Sequence, residues 1–150
     1  MQERIQNPAT SVPGAMPALL DLGRAAQQGL PSELRDLINL RASQINGCSV
    51  CVIAHSRDLK EAGETDDRLF AVAAWRDAPF FTEAERAALA LTEAATRLSD
   101  RADPVPDEVW NEAARHFDEA ALGSLVLSIG QINLWNRLKV VTRQVGGQRW

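Results

Sequence analysis

The chain is 150 residues long and 45% apolar, enough for one domain with its own core, and it has no run of about 18 apolar residues that could cross a bilayer. Its 16 Lys and Arg against 20 Asp and Glu leave a net charge of −4 with no basic cluster, which argues against a nucleic-acid surface. The N-terminal MQERIQNPAT lacks the apolar segment of a secretory signal, so the expected compartment is the reducing cytoplasm, where closely spaced cysteines serve redox or metal chemistry more often than stapling.

Strand signals are nearly absent, with no tyrosine and no long alternating β-branched run. Helix signals recur. Ala15 to Gln28 carries apolar residues with Pro17 in its first turns, and Gly29-Leu30-Pro31 ends it. Ser32 is placed to cap a helix through Leu34, Leu37, Ile38 and Ile45, stopped by the turn dipeptide Asn46-Gly47. A helix from about Cys48 ends at Gly63, and Thr65 caps a segment from Asp66 to Trp75 that Asp77-Ala78-Pro79 breaks. Thr82 and Glu85 form a capping box opening a helix to about Leu98, with Arg86, Arg97, Glu83 and Glu93 read as its solvated face. A loop follows, then a short helix from Pro106 or Asp107 to His116. The last helix runs from Asp118 through Leu122, Leu125, Ile129, Ile132 and Leu138 to Gly146-Gly147. Trp75, Trp110 and Trp135 read as core or subunit anchors, and Trp150 as a frayed tail. The expectation is one all-α domain over 1–150, with its core elements at about 33–98 and a long C-terminal helix at about 118–145.

The segment INGCSVCVIAHSR, Ile45 to Arg57, holds both cysteines and one of the two histidines. On a helix starting at Cys48, Cys51 and His55 fall at i+3 and i+7, in one narrow sector with Val52, Leu59 and Ala62, which places both sulfurs and the imidazole on the inward stripe. Val50 and Ile53 point elsewhere, toward a second contact made by another helix or a neighbouring subunit. Two cysteines on a first helical turn are close enough to form a disulfide, and the helix end favours thiolate. His55 is spaced to take a thiol proton from Cys51. The helix end favours Cys48 as the thiolate and His55 favours Cys51, so these residues alone leave the attacking sulfur open. No strand precedes Cys48, so the pair is not the thioredoxin arrangement.

The run LRDLINLRASQINGCSVCVIAHSRDLKEAGETDDRLFAVAAW followed by FFTEAERAALALTEAATRLS resembles the alkylhydroperoxidase AhpD-like proteins of the carboxymuconolactone decarboxylase superfamily, over about residues 33 to 98, with a fainter likeness at INLWNRL. The resemblance implies an AhpD-like all-helical domain with the CxxC at the start of a central helix, assembled as a homotrimer or as a hexamer built from two trimers. It implies a disulfide-cycling peroxidase in which Cys51 attacks the hydroperoxide and Cys48 resolves the sulfenic acid. His55 then serves in the proton relay, and Asp36, twelve residues before the first cysteine, stands at the family's carboxylate position. The implied partners are a hydroperoxide and a dithiol, thioredoxin-like or lipoyl reductant, with no metal or organic cofactor, no nucleic acid and no membrane.

Two positions depart from the family pattern. The carboxylate is usually glutamate; Asp36 is one methylene shorter, which calls for a bridging water. Well-characterised members carry a histidine just before the second cysteine, where this chain has Val50, which cannot relay a proton. The expected relay is therefore the simplified set Asp36, Cys48, Cys51 and His55. Three other readings compete. One is a helical oligomer whose cysteine pair is a redox sensor or inert staple. Another is a decarboxylase- or isomerase-type enzyme using Asp36 and His55 without the thiols. The third is a zinc site of Cys48, Cys51, His55 and His116.

Overall fold

The computed structural model describes residues 2–147; Trp150, read above as a frayed tail, lies outside them. All regular structure among the described residues is helical. Helices α1 (Pro8–Ser11) and α2 (Ala15–Ala26) lead into α3 (Ser32–Ile45) and α4 (Ser49–Glu61). A short α5 (Asp66–Ala71) passes into a 3-10 turn at Val72–Ala74, and α6 (Glu83–Thr96), α7 (Asp107–His116) and α8 (Glu119–Thr142) complete the chain. No described helix is long and apolar enough to cross a membrane.

The starts follow the local chemistry. Thr82 and Glu85 make the full capping box on α6, while Thr65 and Asp118 accept from backbone N–H groups at the starts of α5 and α8. Ser32 is the first helical residue rather than the cap, which is Pro31. Helix α1 was not expected; Asn7 caps it through Ala9 N, with Pro8 at its first position. Helix α8 stops at Thr142, short of Gly146, because Arg143 turns left-handed (φ 56°) and Gln144 N returns to Lys139 O.

Helix α3 is the centre, packed against α4, α6 and α8. Leu37, Ile38 and Leu40 from α3 join Leu59 of α4, Leu89 and Leu91 of α6, and Leu125 and Ile129 of α8, all buried. At roughly 1.5–3 kcal/mol for each buried aliphatic side chain, this cluster supplies much of the drive to fold. A second, smaller cluster forms where the end of α3, the start of α4 and the middle of α8 meet: Ala42, Cys48, Val50, Cys51 and Ile132, with Trp135 against them. The contact expected for Val50 is thus another helix of the same chain, α8. Ala62, expected inward, is exposed.

The α6 face departs from expectation. Glu93 is 5% exposed and is held by Arg41 Nη2 at 2.6 Å, Arg76 Nη1 at 2.7 Å and Trp75 Nε1 at 3.0 Å. Burial by itself would raise its pKa, but the three donors outweigh burial and hold it below the usual carboxylate range. Arg86 donates to the Trp75, Arg76, Ala78 and Phe81 carbonyls, pinning the loop before α6. Helical period could not reveal this, because the groups that satisfy Glu93 come from α3 and the 75–76 turn.

Trp75 is core, as read, whereas Trp110 is 41% exposed. Helix α8 is apolar on more than one side; Val126, Leu127, Leu134, Val140 and Val141 stay exposed.

Candidate active site

The Asn46-Gly47 turn sets the site. Gly47 sits at φ +66°, a backbone conformation that side chains resist, and this lets the chain reverse between α3 and α4. Cys48 N then donates to Ser43 O at 3.0 Å, and Cys48 becomes the N-cap of α4. One turn on, the Cys51 sulfur lies 3.0 Å from that of Cys48, both thiols free and buried.

One proton between two such close sulfurs splits their acidities. The hydrogen bond from the Cys51 thiol is the main cause that holds Cys48 down at about 6; the Cys51 backbone N–H, the Lys139 charge and the Asn136 side chain add to it, and burial opposes it. The same contact, with burial and the neighbouring anion, pushes Cys51 up. Cys48 is thus the resting thiolate and Cys51 the resting thiol.

His55 projects from α4 one turn beyond Cys51. Its Nδ1 is 3.1 Å from Asp36 Oδ1 on α3 and 3.8 Å from Asp58 Oδ2 on its own helix. The contact with Asp36 is direct, so the shorter side chain needs no bridging water. With Nδ1–H donated to Asp36, Nε2 is left as the basic nitrogen. Arg35 Nη2 lies 3.7 Å from Asp36 Oδ2. Burial, then the Asp36 charge, raise the Asp58 pKa.

Cys51, His55 and Asp36 line one cavity of about 450 Å³, walled also by Val50, Ile132 and Trp135. Cys48 instead borders a separate pocket of about 310 Å³ with Lys139 and Arg143. The four residues expected to act together therefore do gather, but the two cysteines border different spaces. Among the described residues no hydrogen bond joins His55 to either sulfur; His55 and Cys51 share a cavity wall.

Sequence reasoning missed Asp58, Asn136 and Lys139. Asp58 carried a legible signal, three residues after His55 on one helix face. Asn136 and Lys139 carried none, since only the packing of α8 brings them to the cysteines. The zinc set does not assemble: His116, at the end of α7, faces Glu112 at 3.3 Å, and the described metal-ligating groups that cluster within 4.8 Å are Asp36, His55 and Asp58.

Residues 13–94 match the model of the carboxymuconolactone decarboxylase family. Protein YdfG of Bacillus subtilis is 36% identical over 129 residues, covering 85% of this chain and 86% of that protein. The alkyl hydroperoxide reductase AhpD of a Bradyrhizobium species is 46% identical over 48 residues, 32% of this chain and 26% of that protein. Among solved structures, an Agrobacterium tumefaciens protein of unknown function, provisionally assigned to AhpD-type antioxidant defence, superposes with a TM-score of 0.90 at 33% identity over 99% of this chain and 100% of that one. The debrominase Bmp8 shares the fold, with a TM-score of 0.81 at 23% identity over 92% of this chain and 74% of its own.

Proposed function

Because this chain belongs to the carboxymuconolactone decarboxylase family, we propose that it is an AhpD-like, thiol-dependent hydroperoxide reductase in which Cys51 attacks and Cys48 resolves. The observation that carries the reading is the position of Cys51: it shares a cavity with the His55–Asp36 pair while its sulfur lies 3.0 Å from that of Cys48.

The cycle balances as follows. The Cys51 sulfur attacks the terminal oxygen of the hydroperoxide as His55 Nε2 takes its proton, so that two thiolates never stand side by side, and Asp36 holds the imidazolium that forms. The O–O bond breaks, and the alkoxide leaves as alcohol with the proton from His55. Cys51 is now a sulfenic acid. The Cys48 thiolate attacks that sulfur, the S–O bond breaks, and hydroxide leaves as water with a proton from solvent. An external dithiol returns two electrons. Its thiolate attacks Cys51 from the cavity, and Cys48 is the better leaving group because its pKa is the lower of the two. A cavity of this volume accommodates an organic hydroperoxide with an apolar body against Val50, Ile132 and Trp135.

The test is consumption of cumene hydroperoxide with a dithiol reductant, wild type beside Cys51→Ser and Cys48→Ser. The reading requires turnover lost in both variants, with a sulfenic acid trapped in Cys48→Ser; a reduced wild type with no turnover removes it.

One observation favours a second reading: Asp58, with its raised pKa, stands 3.8 Å from the histidine nitrogen that Asp36 holds, an arrangement suited to acid–base catalysis without sulfur. That reading requires a double Cys→Ala variant to keep its activity. The proposed enzyme is a homo-oligomer, with the exposed apolar side chains of α8 in the subunit contact; light scattering that returns a monomer overturns this part alone.

A further inference from the structure

The cysteine pair meets α8 at a residue whose side-chain orientation the surrounding bonds determine. Asn136 is 1% exposed. Its Oδ1 lies 2.9 Å from Asn46 Nδ2 and its Nδ2 lies 3.0 Å from Ser43 Oγ. Neither end can be exchanged. Ser43 Oγ gives its single proton to the Asn39 carbonyl at 2.7 Å, so toward Asn136 it can only accept. On the other side, Asn133 Nδ2 donates to the Ile129 carbonyl at 2.9 Å, which turns Asn133 Oδ1 toward Asn46 at 3.0 Å and obliges Asn46 to present its nitrogen. Asn136 must therefore offer oxygen to Asn46 and nitrogen to Ser43.

That leaves one N–H of Asn136 unassigned in a buried place. Ile132, one turn earlier on α8, packs directly among Cys48, Cys51, Ala42 and Val50. Among the acceptors here a sulfur anion gains most from a further donor, and a spare buried N–H is costly unless it finds an acceptor. We propose that Asn136 is a thiolate-binding residue of this site, its second side-chain N–H held on the Cys48–Cys51 pair, and that Asn46 is the positioning residue that keeps the amide turned that way. An amide suits the task because it stabilises the anion without burying another charge. Both thiols carry the mark of it, since the Asn136 side chain favours the ionised form of each. Asn46 thereby has two duties, one in the turn before Cys48 and one through Asn136.

The charged groups that also face the pair are Lys139 and Arg143 from the end of α8, His55 and Asp58 from α4, Asp36 and Arg35 from α3, and Arg24 from α2. These side chains are the same in every Asn136 variant, so a shift on changing Asn136 reports the change at 136. The inference rests on the thiol reading of the site and not on the oxidant.

The experiment is the pH–rate profile for alkylation of the reduced protein by iodoacetamide, wild type beside Asn136→Asp, Asn136→Leu and Asn46→Ser, with helicity and melting recorded for each. Asn136→Asp keeps the shape and sets an anion against the sulfurs. It should slow alkylation at pH 6.5 by about threefold, the fall in ionised fraction when a thiol titrating at about 6 moves up by one pKa unit. Asn136→Leu should move the profile the same way, and Asn46→Ser by less, because the donor is freed rather than removed. Folded Asn136 variants whose profiles coincide with the wild type overturn the proposal. Should neither fold, an unmoved Asn46→Ser profile overturns it equally. A wild type that fails to turn over peroxide condemns the peroxidase reading and leaves this comparison intact, because alkylation needs no peroxide.

Discussion

Asp36 Oδ1 on α3 and His55 Nδ1 on α4 meet at 3.1 Å, with both side chains only partly exposed. The contact ties the helix before the Asn46-Gly47 turn to the helix after it, and it sets the tautomer of the histidine that shares a cavity with Cys51. Asp36→Asn keeps the hydrogen-bonding shape but removes the charge that steadies an imidazolium. In the peroxidase assay it should lower kcat/KM by about tenfold, and His55→Ala by about a hundredfold, the lower end of what a positioned acid–base group contributes. Equal rates in wild type and His55→Ala would place proton transfer elsewhere.

The split thiols give the reduced protein a characteristic pH response. Cys48, held down at about 6, is ionised in the folded chain where the unfolded thiol is still protonated. Its contribution to stability is therefore complete above the ordinary thiol pKa and is lost as pH falls toward 6. Cys51 has the opposite sign: pushed up, it stays protonated when folded, so above the ordinary thiol pKa stability falls as pH rises. Melting temperature against pH should pass through a maximum near pH 8.5 in the reduced protein, relative to the disulfide form, in which neither thiol titrates. Superimposable reduced and oxidised curves would contradict the split.

Gly47→Ala places a Cβ on a residue at φ +66° where nothing crowds it within 4 Å, so the cost is backbone conformation alone. A loss of about 1–2 kcal/mol is expected, read as a lower urea midpoint at unchanged slope. Because the same turn presents Cys48 as the N-cap of α4, the variant should also alkylate more slowly at pH 6.5.

Glu93 tests the part of the fold away from the thiols. Glu93→Leu strands Arg41, whose side chain is 11% exposed, and should cost about 3 kcal/mol, the usual range for breaking a buried pair. The Glu93 pKa is depressed, so its stabilisation is present above the ordinary glutamate pKa and is lost as pH falls below it. Wild type should therefore lose more stability than Glu93→Leu on acidification, while the alkylation profiles of the two proteins agree.

What the sequence determined by itself is whatever can be settled within a turn or two of chain. The Thr82–Glu85 capping box, the reversal at Gly47 and the register of Cys48, Cys51 and His55 each depend on neighbours three to seven residues away, and the helices start and stop close to where those neighbours dictate. Asp36 was legible only through a family resemblance, since nothing local distinguishes it from a surface aspartate. Tertiary structure decided the rest. Glu93 reads as solvent-facing by helical period but is buried, because Arg41 and Arg76 arrive from other elements to neutralise it and Trp75 donates a hydrogen bond. The helix end and His55 point to different cysteines as the thiolate, and only the packing sets Cys51 on the cavity of His55 and Cys48 beside the end of α8. Asn136 and Lys139 reach them only when α8 packs across the α3–α4 corner. A buried charge or amide is tolerable only where distant partners satisfy it, and those partners converge only when the chain has folded.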